Sequence, residues 1–377
     1  MSAGHYVFAG GGTGGHLYPG LAVAAALRER EPEAGITFFT TTRALDRELL
    51  ERTPFAQIAQ PVRPLTLDPL RVWGFWRSWR RSVAAAREFL RRWRPRAVLG
   101  LGGYAAGPAV VAAHGLGIRA AILNQDAIPG RANRYLARRA DLVVLQWEAS
   151  RRFFRRGTNC AVLGCPIRSE FGRLGAAGPG VAADRTSAAA GRQRLGLDPE
   201  RPVLLVTGAS QGARTVNRTM QRVWPEFAAR HREWQLLHLT GALDEAETRA
   251  AYAAAGVAAR VIAFVHEMWL ALAAADVVVS RAGASTLAEL TALGKPAVLL
   301  PYPYHRDRHQ HANAQVLVEA GAALVVEDLR DAEKNRGPVL AALERLTDRG
   351  TREALGRAAL RLGRPGAARD VAAWMAG

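Results

Sequence analysis

Short apolar runs separated by amphipathic stretches recur along the whole chain. Residues 6–9 read as a buried strand, followed by glycines and then by a helix over 18–30, with Pro19 near its start. Residues 36–40, 97–99, 120–123 and 142–145 are further apolar runs of strand length, set between helix-like stretches. Strands apolar on both faces and alternating with helices predict a parallel sheet covered on two sides. The pattern breaks over 172–191, which is rich in Gly and Ala with little periodicity and reads as a linker or loop. It resumes at 203–207 and continues through 236–239, 261–264, 276–280, 297–301 and 323–326. The chain therefore predicts two similar α/β halves, each opening with strand, glycine loop and helix. They occupy 1–171 and 201–350, joined by a linker region at 172–200, and a helical segment at 351–377 is placed to pack back on the first half.

Glycines directly after a strand let the backbone turn sharply and approach an anion. The helix that follows presents free N–H groups and the positive end of its dipole. This happens at Gly10-Gly11-Gly12-Thr13-Gly14-Gly15-His16 and again at Gly208-Ala209-Ser210-Gln211-Gly212-Ala213. A third cluster, Gly100-Leu101-Gly102-Gly103-Tyr104, follows the run at 97–99. One such loop also serves tight packing, but loops at equivalent places in two halves point to ligands at strand C-terminal ends. The dinucleotide spacing is imperfect and no Gly-Lys-Ser/Thr follows either loop, so dinucleotide and ATP readings fall behind.

Composition bounds the picture. A chain of 377 residues suits two domains, and 49% hydrophobic with 22% charged residues is the balance of a globular protein. Fifty-one basic against 33 acidic residues give a net charge of +18, which attracts nucleic acid, an anionic bilayer or phosphorylated substrates, although a GC-rich coding sequence also favours arginine. Cys160 and Cys165 make no disulfide framework, and no His or Cys cluster shows zinc spacing, so no metal is expected and a reducing cytoplasm fits. No run of about 18 apolar residues exists, so any membrane contact is expected from the side.

Four segments together resemble the MurG family of glycosyltransferases. They are the stretch from Gly10 through His16 to Ala22, Gly102-Gly103-Tyr104 with Gly107-Pro108, Gly208 to Ala213, and Ser280-Arg-Ala-Gly-Ala-Ser-Thr-Leu-Ala-Glu289, in the correct order between about Tyr6 and Val326. The resemblance implies the GT-B architecture, two Rossmann-like domains facing a central cleft. It implies transfer of N-acetylglucosamine from UDP-GlcNAc to the C4 hydroxyl of the muramyl sugar of lipid I (undecaprenyl-pyrophosphoryl-MurNAc-peptide), giving lipid II for peptidoglycan. Neither cofactor nor metal is required for that chemistry. Thr13, Gly14 and Gly15 would then lie against donor and acceptor phosphates, with Gly102, Gly103 and Tyr104 on the acceptor side. Ser210 and Gln211 would meet the UDP diphosphate, Arg168 would lie near the donor phosphates and Val265 would contact uracil. Ala284, Ser285 and Thr286 match the donor-contacting turn, and Glu289 would accept from the ribose hydroxyls unless it is simply a solvated helix residue. His16 is either an ordinary helix-start residue, the base for the acceptor hydroxyl or a clamp on the lipid-linked diphosphate.

Two departures bear on sugar preference and acceptor contacts. Leu123-Asn124-Gln125-Asp126 stands where the family usually shows His-Glu-Gln-Asn, so Asp126 replaces an amide donor with a negative charge. His309-Gln310 stands where members often carry Gln-Gln, keeping one amide and one other donor. A related GT-B transferase with another nucleotide sugar or acceptor is the alternative these leave open.

The most basic and aromatic stretch runs from Arg71 to Arg94. Helical spacing places Trp76, Trp79, Val83 and Ala86 along one stripe with Arg77, Arg80 and Arg81 beside it. A core-packing helix, a single-strand nucleic-acid surface and a peripheral membrane helix all fit that pattern. The family resemblance favours the last, with Trp73, Phe75, Trp76 and Trp79 on anionic inner-leaflet lipids at the cytoplasmic face of the cell membrane. No nucleic-acid module is present and that reading explains neither glycine loop, so no nucleic-acid partner is expected.

Overall fold

Thirteen parallel strands in two sheets organise the described residues, which in this computed structural model are 4–64, 69–175, 182–208, 212–305 and 307–377. The first sheet comprises β1 (His5–Ala9), β2 (Gly35–Thr40), β3 (Ala56–Ala59), β4 (Ala97–Gly100), β5 (Arg119–Asn124), β6 (Leu142–Leu145) and β7 (Cys160–Val162). Its spatial order is β3-β2-β1-β4-β5-β6-β7, with Tyr6 opposite Ile36 on one side and Ala97 on the other. The second comprises β8 (Val203–Thr207), β9 (Gln235–Leu239), β10 (Arg260–Ile262), β11 (Val277–Ser280), β12 (Ala297–Leu299) and β13 (Leu324–Val325), in the order β10-β9-β8-β11-β12-β13.

In each sheet the opening strand lies inside and the chain winds first to one side, then returns to build the other. The direction reverses between β1 and β4 and again between β8 and β11. Such switch points leave a crevice at the strand C-terminal ends. The glycine loops after β1 and β8 therefore open onto crevices by topology alone.

Both faces of each sheet are covered. Tyr6 and Phe8 of β1 join Leu17, Leu27 and Phe38 on one side, while Val7 and Ala9 join Ala86, Leu90 and Val110 on the other. The period of two along the strand makes that division. The second sheet packs Trp224, Phe227 and Tyr252 into its core.

Three features differ from the reading of the sequence. The edge strands β3 and β7 were not anticipated. In β3 Ala56 and Ala59 are exposed and Gln57 breaks the apolar run, and in β7 the short apolar run Cys160–Val162 is half-buried throughout, because a sheet edge has one neighbour and less cover. β10 ends at Ile262, and Phe264 beyond it is exposed. The expected linker instead carries helices Ser169–Gly175 and Ala182–Arg194, the latter packed on helix Met268–Ala274 so closely that a Cβ on Gly191 would stand 3.0 Å from the Leu270 carbonyl oxygen. Residues 176–181 lie outside those described.

Contacts divide the chain into two units, Met1–Ser169 with Pro365–Gly377, and Glu170–Arg364. Helix Arg349–Leu362 stays with the second unit, on helix Ala284–Ala292. Helix Ala367–Ala376 packs in the first unit on helix Gly14–Arg30, burying Val371 and Met375, with Arg119 stacked 4.1 Å over the Trp374 ring.

Helix Pro69–Trp93 lies against helix Gly107–His114. Its buried stripe is Phe75, Ser78, Ser82, Ala86 and Leu90, so that of the stripe expected from the tryptophans only Ala86 is fully buried. Trp79 is half-buried over Gly107, where a Cβ would clash with the indole. Among the four aromatics assigned to a membrane face, Phe75 therefore turns inward at 9% exposure, and Trp73 and Trp76 remain outside at 81% and 53%. Among the described residues, no helix is long and apolar enough to cross a membrane.

Candidate active site

The loop after β1 is held by a buried carboxylate. Asp46, fully buried, accepts the Gly12 N–H at 2.8 and 2.9 Å on its two oxygens, the Thr41 N–H at 3.0 Å and the Thr41 hydroxyl at 2.5 Å. Arg43 Nη1 donates to the Gly12 carbonyl at 2.8 Å. Gly11 and Gly12 take φ of +148° and +85°, and a Cβ on Gly11 would collide with Asp46 Oδ2. Only glycine satisfies both demands at Gly11. No motif in the sequence marked Asp46, whose role lies in partners distant along the chain.

His16 sits one turn into helix Gly14–Arg30, and its ring rests on the loop after β4. A Cβ on Gly102 would lie 3.3 Å from His16 Cδ2, and one on Gly103 would lie 3.3 Å from Cε1. Both glycines have positive φ, +100° and +70°, so the strip of bare backbone under the imidazole is built from residues that alone tolerate the turn. The structure thus joins the two sequence-predicted loops of the first unit at His16, across the β1/β4 switch point. His16 Nδ1 shares a hydrogen bond with Thr13 Oγ1 at 3.1 Å. Burial lowers the imidazole pKa, while the Asp126 carboxylate, the Gly11 backbone and Asp46 act in the opposite sense and offset only part of it. The ring is neutral at physiological pH and suited to accepting a proton.

Thr13 is the N-cap residue, yet its side chain does not cap the helix, and no acidic residue lies in the first turn. Helices Arg214–Arg230 and Ala284–Ala292, at the β8/β11 switch point, likewise lack side-chain caps and first-turn acids. Helices Ala332–Arg345 and Arg349–Leu362, by contrast, are capped by Asp331 and Asp348. Uncapped starts also occur elsewhere among the described residues, at helices Arg131–Leu136 and Met268–Ala274, so it is the position of these three at the switch points that suits an anion.

Around the first-unit loops, Arg168 lies 5.8 Å over the Tyr18 ring, and Tyr18 packs against Gly14. Tyr104 is half-buried at the start of the turn after Gly103. Asp126 follows β5, its carbonyl accepting from Asn124 Nδ2 at 2.9 Å and Ser150 Oγ at 3.1 Å. Asn133 Nδ2 donates to Asn124 Oδ1 at 3.1 Å and to the Leu123 carbonyl, so this turn is fixed by an amide pair that sequence reasoning missed.

In the second unit Gly208 and Gly212 bracket the loop after β8; Ser210 and Gln211 lie outside the described residues. A Cβ on Gly208 would collide with the Ala213 nitrogen, and one on Gly212 with the Thr240 carbonyl oxygen. Thr240 is itself held, because Asn217 Nδ2 donates to its carbonyl at 2.9 Å and to Asp244 Oδ2 at 2.8 Å. Asn217 Oδ1 engages buried His238 at 3.1 Å, whose other nitrogen meets the Tyr252 hydroxyl at 2.9 Å. Burial drives the His238 pKa down to about 3.

The turn after β11 leads into helix Ala284–Ala292, on which Ala284 is buried and Ser285, Thr286 and Glu289 are half-buried. Gln310 fixes it: its Oε1 accepts from Ala282 N at 3.2 Å and Tyr302 N at 2.9 Å, and Asn313 Nδ2 donates to the Ala282 carbonyl. Arg281 pairs with buried Asp328 at 2.7 Å beneath it. Val265 is half-buried just past β10, at the edge of this sheet. His309 bonds Asp307 Oδ1 through Nδ1 at 2.8 Å. His305, Asp307 and His309 bring three potential ligand atoms within 4.8 Å of one another, a grouping the sequence reading did not single out. Their alternating spacing in one loop lies outside the familiar zinc patterns.

Comparison with known proteins gives a consistent result. Residues 6–145 match the glycosyltransferase family 28 N-terminal domain, and residues 203–354 match the C-terminal domain of that family. A UDP-N-acetylglucosamine--N-acetylmuramyl-(pentapeptide) pyrophosphoryl-undecaprenol N-acetylglucosamine transferase of Chlorobaculum tepidum is 38% identical over 375 residues, covering 97% of each chain. The protein of that name from Anaeromyxobacter sp. is 37% identical, covering 97% of this chain and 91% of its own. Among solved structures, Acinetobacter baumannii MurG superposes with a TM-score of 0.74 at 24% identity over 99% of both chains. The UDP-GlcNAc 2-epimerase of Neisseria meningitidis, bound to UDP-GlcNAc, superposes at 0.67 and 12% identity over 99% of both. The two-sheet GT-B fold is thereby established.

Proposed function

The chain belongs to the MurG family of glycosyltransferases, and from that premise we propose that it transfers N-acetylglucosamine from UDP-GlcNAc to the C4 hydroxyl of the muramyl sugar of lipid I. The observation that carries the reading is His16, neutral and seated on Gly102 and Gly103 beside an uncapped helix start. That start, with Thr13, Gly14, Gly15 and Tyr104, suits the acceptor diphosphate, and the imidazole takes the proton from the C4 hydroxyl. The hydroxyl oxygen attacks the sugar C1, the C1–O bond to the β-phosphate breaks, and UDP leaves with the electron pair. One displacement turns an α-linkage into a β-linkage without a covalent enzyme intermediate.

The second unit holds the leaving group. Ser210 and Gln211, together with Ala284, Ser285 and Thr286 at a helix start, are assigned to stabilise the diphosphate. Glu289 accepts from the ribose and Val265 meets uracil. Gln310 acts through both ends of its amide. The oxygen already ties two backbone N–H groups, so the nitrogen is the atom that reaches the sugar, beside His309. Trp73 and Trp76 with Arg77, Arg80 and Arg81 dock on anionic lipid, holding the enzyme as a peripheral protein at the cytoplasmic face where lipid I is presented.

The test is transfer of radiolabelled N-acetylglucosamine from UDP-GlcNAc to a synthetic lipid I analogue. Labelled lipid II analogue is expected. A folded, UDP-binding protein that makes none refutes the acceptor and leaves the related transferase, which Asp126 and His309 would favour through their altered contacts.

A further inference from the structure

The loop between β12 and helix His309–Glu319 gathers two imidazoles and a carboxylate, and we propose that His305, Asp307 and His309 bind one divalent transition-metal ion of the zinc class. Their ligand atoms all lie within 4.8 Å of one another. His309 Nδ1 is 2.8 Å from Asp307 Oδ1, and the rings of His305 and His309 have centroids 4.4 Å apart. A tetrahedral ion with bonds of about 2.0–2.2 Å places its ligand atoms roughly 3.3 Å apart. Small side-chain rotations therefore close the set.

The donor types select the ion. Magnesium and calcium take oxygen ligands, whereas two imidazoles with one carboxylate suit zinc, cobalt or nickel. Three protein ligands leave a fourth position for water or an anionic oxygen.

The loop is braced on both sides. Gln310 Oε1 ties the first helical turn back to Tyr302 N, and the Tyr302 ring packs 4.9 Å from His305. Arg330 stacks over Tyr304 and donates to the Pro303 carbonyl at 2.9 Å. The nearby cation Arg308 is drawn toward Glu327 at 3.8 Å. The proposal stands independently of the acceptor, since metal binding needs neither lipid nor sugar.

The experiment is calorimetric titration of the tag-free, EDTA-dialysed full chain with zinc chloride, paralleled by cobalt(II) absorption. One equivalent is expected, with a tetrahedral cobalt spectrum. His305→Ala and Asp307→Asn, at exposed positions, should weaken zinc by at least about tenfold, the minimum expected when even an outer-shell partner is lost. Their melting temperatures without metal should match the parent. No binding by the parent, or equal affinity in His305→Ala, overturns the site.

Discussion

Single side chains set the geometry of the first-unit loop, and the one that does most is not in a recognisable motif. Asp46 answers three backbone or hydroxyl donors in a position closed to water. Replacing it by Ala strands those donors, so Asp46→Ala should lose about 2–4 kcal/mol of stability by urea denaturation. Transfer should fall more than stability alone explains, because Gly11 and Gly12 lose their anchor. His16 is assigned proton acceptance, and its pKa is lowered, so the base is ready above the ordinary imidazole range and is lost as pH falls below it. His16→Ala should cut kcat by about 10²–10⁴ and flatten the acid limb of kcat/KM; a mutant profile of unchanged shape would exclude the base role. His238 sets a stability limb instead. Its pKa drops from 6.5 to about 3 on folding, so below pH 6.5 the unfolded chain binds a proton that the native one refuses. Stability from this group is complete above pH 6.5 and declines toward pH 3 by about 1.4 kcal/mol per unit. Urea midpoints at pH 7 and 4 should show the fall, and His238→Gln should reduce it. His16 was legible because it adjoins glycines with a distinctive spacing. Asp46, Asn217 and Asn133 were not, because what defines them is a partner reached only through folding.

Elements were legible where they are buried. Continuous apolar runs marked the interior strands, but β3 lies at one margin of the first sheet with Gln57 among its residues, and β7 at the other, though apolar, is only three residues long. Helix Ala182–Arg194 was hidden by its alanine and glycine content, which carries no amphipathic stripe. In helix Pro69–Trp93 the tryptophans suggested one face, while Phe75, Ser78, Ser82, Ala86 and Leu90 define the packed one, and of the tryptophans it is Trp79 that reaches Gly107 of the neighbouring helix. The two outward rings supply the element-scale prediction. Trp73→Ala/Trp76→Ala should abolish flotation with anionic liposomes while leaving UDP-GlcNAc binding intact, and Phe75→Ala should lower stability instead. Equal flotation of the double variant would remove the aromatic contribution.

At the scale of the molecule, two units share a sheet design and differ in what their crevices offer. UDP-GlcNAc should slow amide exchange in residues 282–289 and around Gly212, with much smaller effect around Gly12, as read by exchange mass spectrometry; protection confined to the first unit would reverse the assignment of donor and acceptor halves. The division into halves was legible from two strand–glycine–helix openings, and the return of a C-terminal segment to the first half was expected for 351–377, but the structure narrows that ownership to 365–377 and leaves helix Arg349–Leu362 with the second unit. That ownership has a consequence for biosynthesis. The second unit is one unbroken stretch and can close as soon as it leaves the ribosome. The first unit, begun earlier, must wait until that whole insertion has been made before Val371 and Met375 reach the cluster containing Val23, Ala24 and Leu27. The half that starts first finishes last, and a translation arrest inside the second unit releases a chain with that seam bare, a surface on which chaperones and quality-control proteases act.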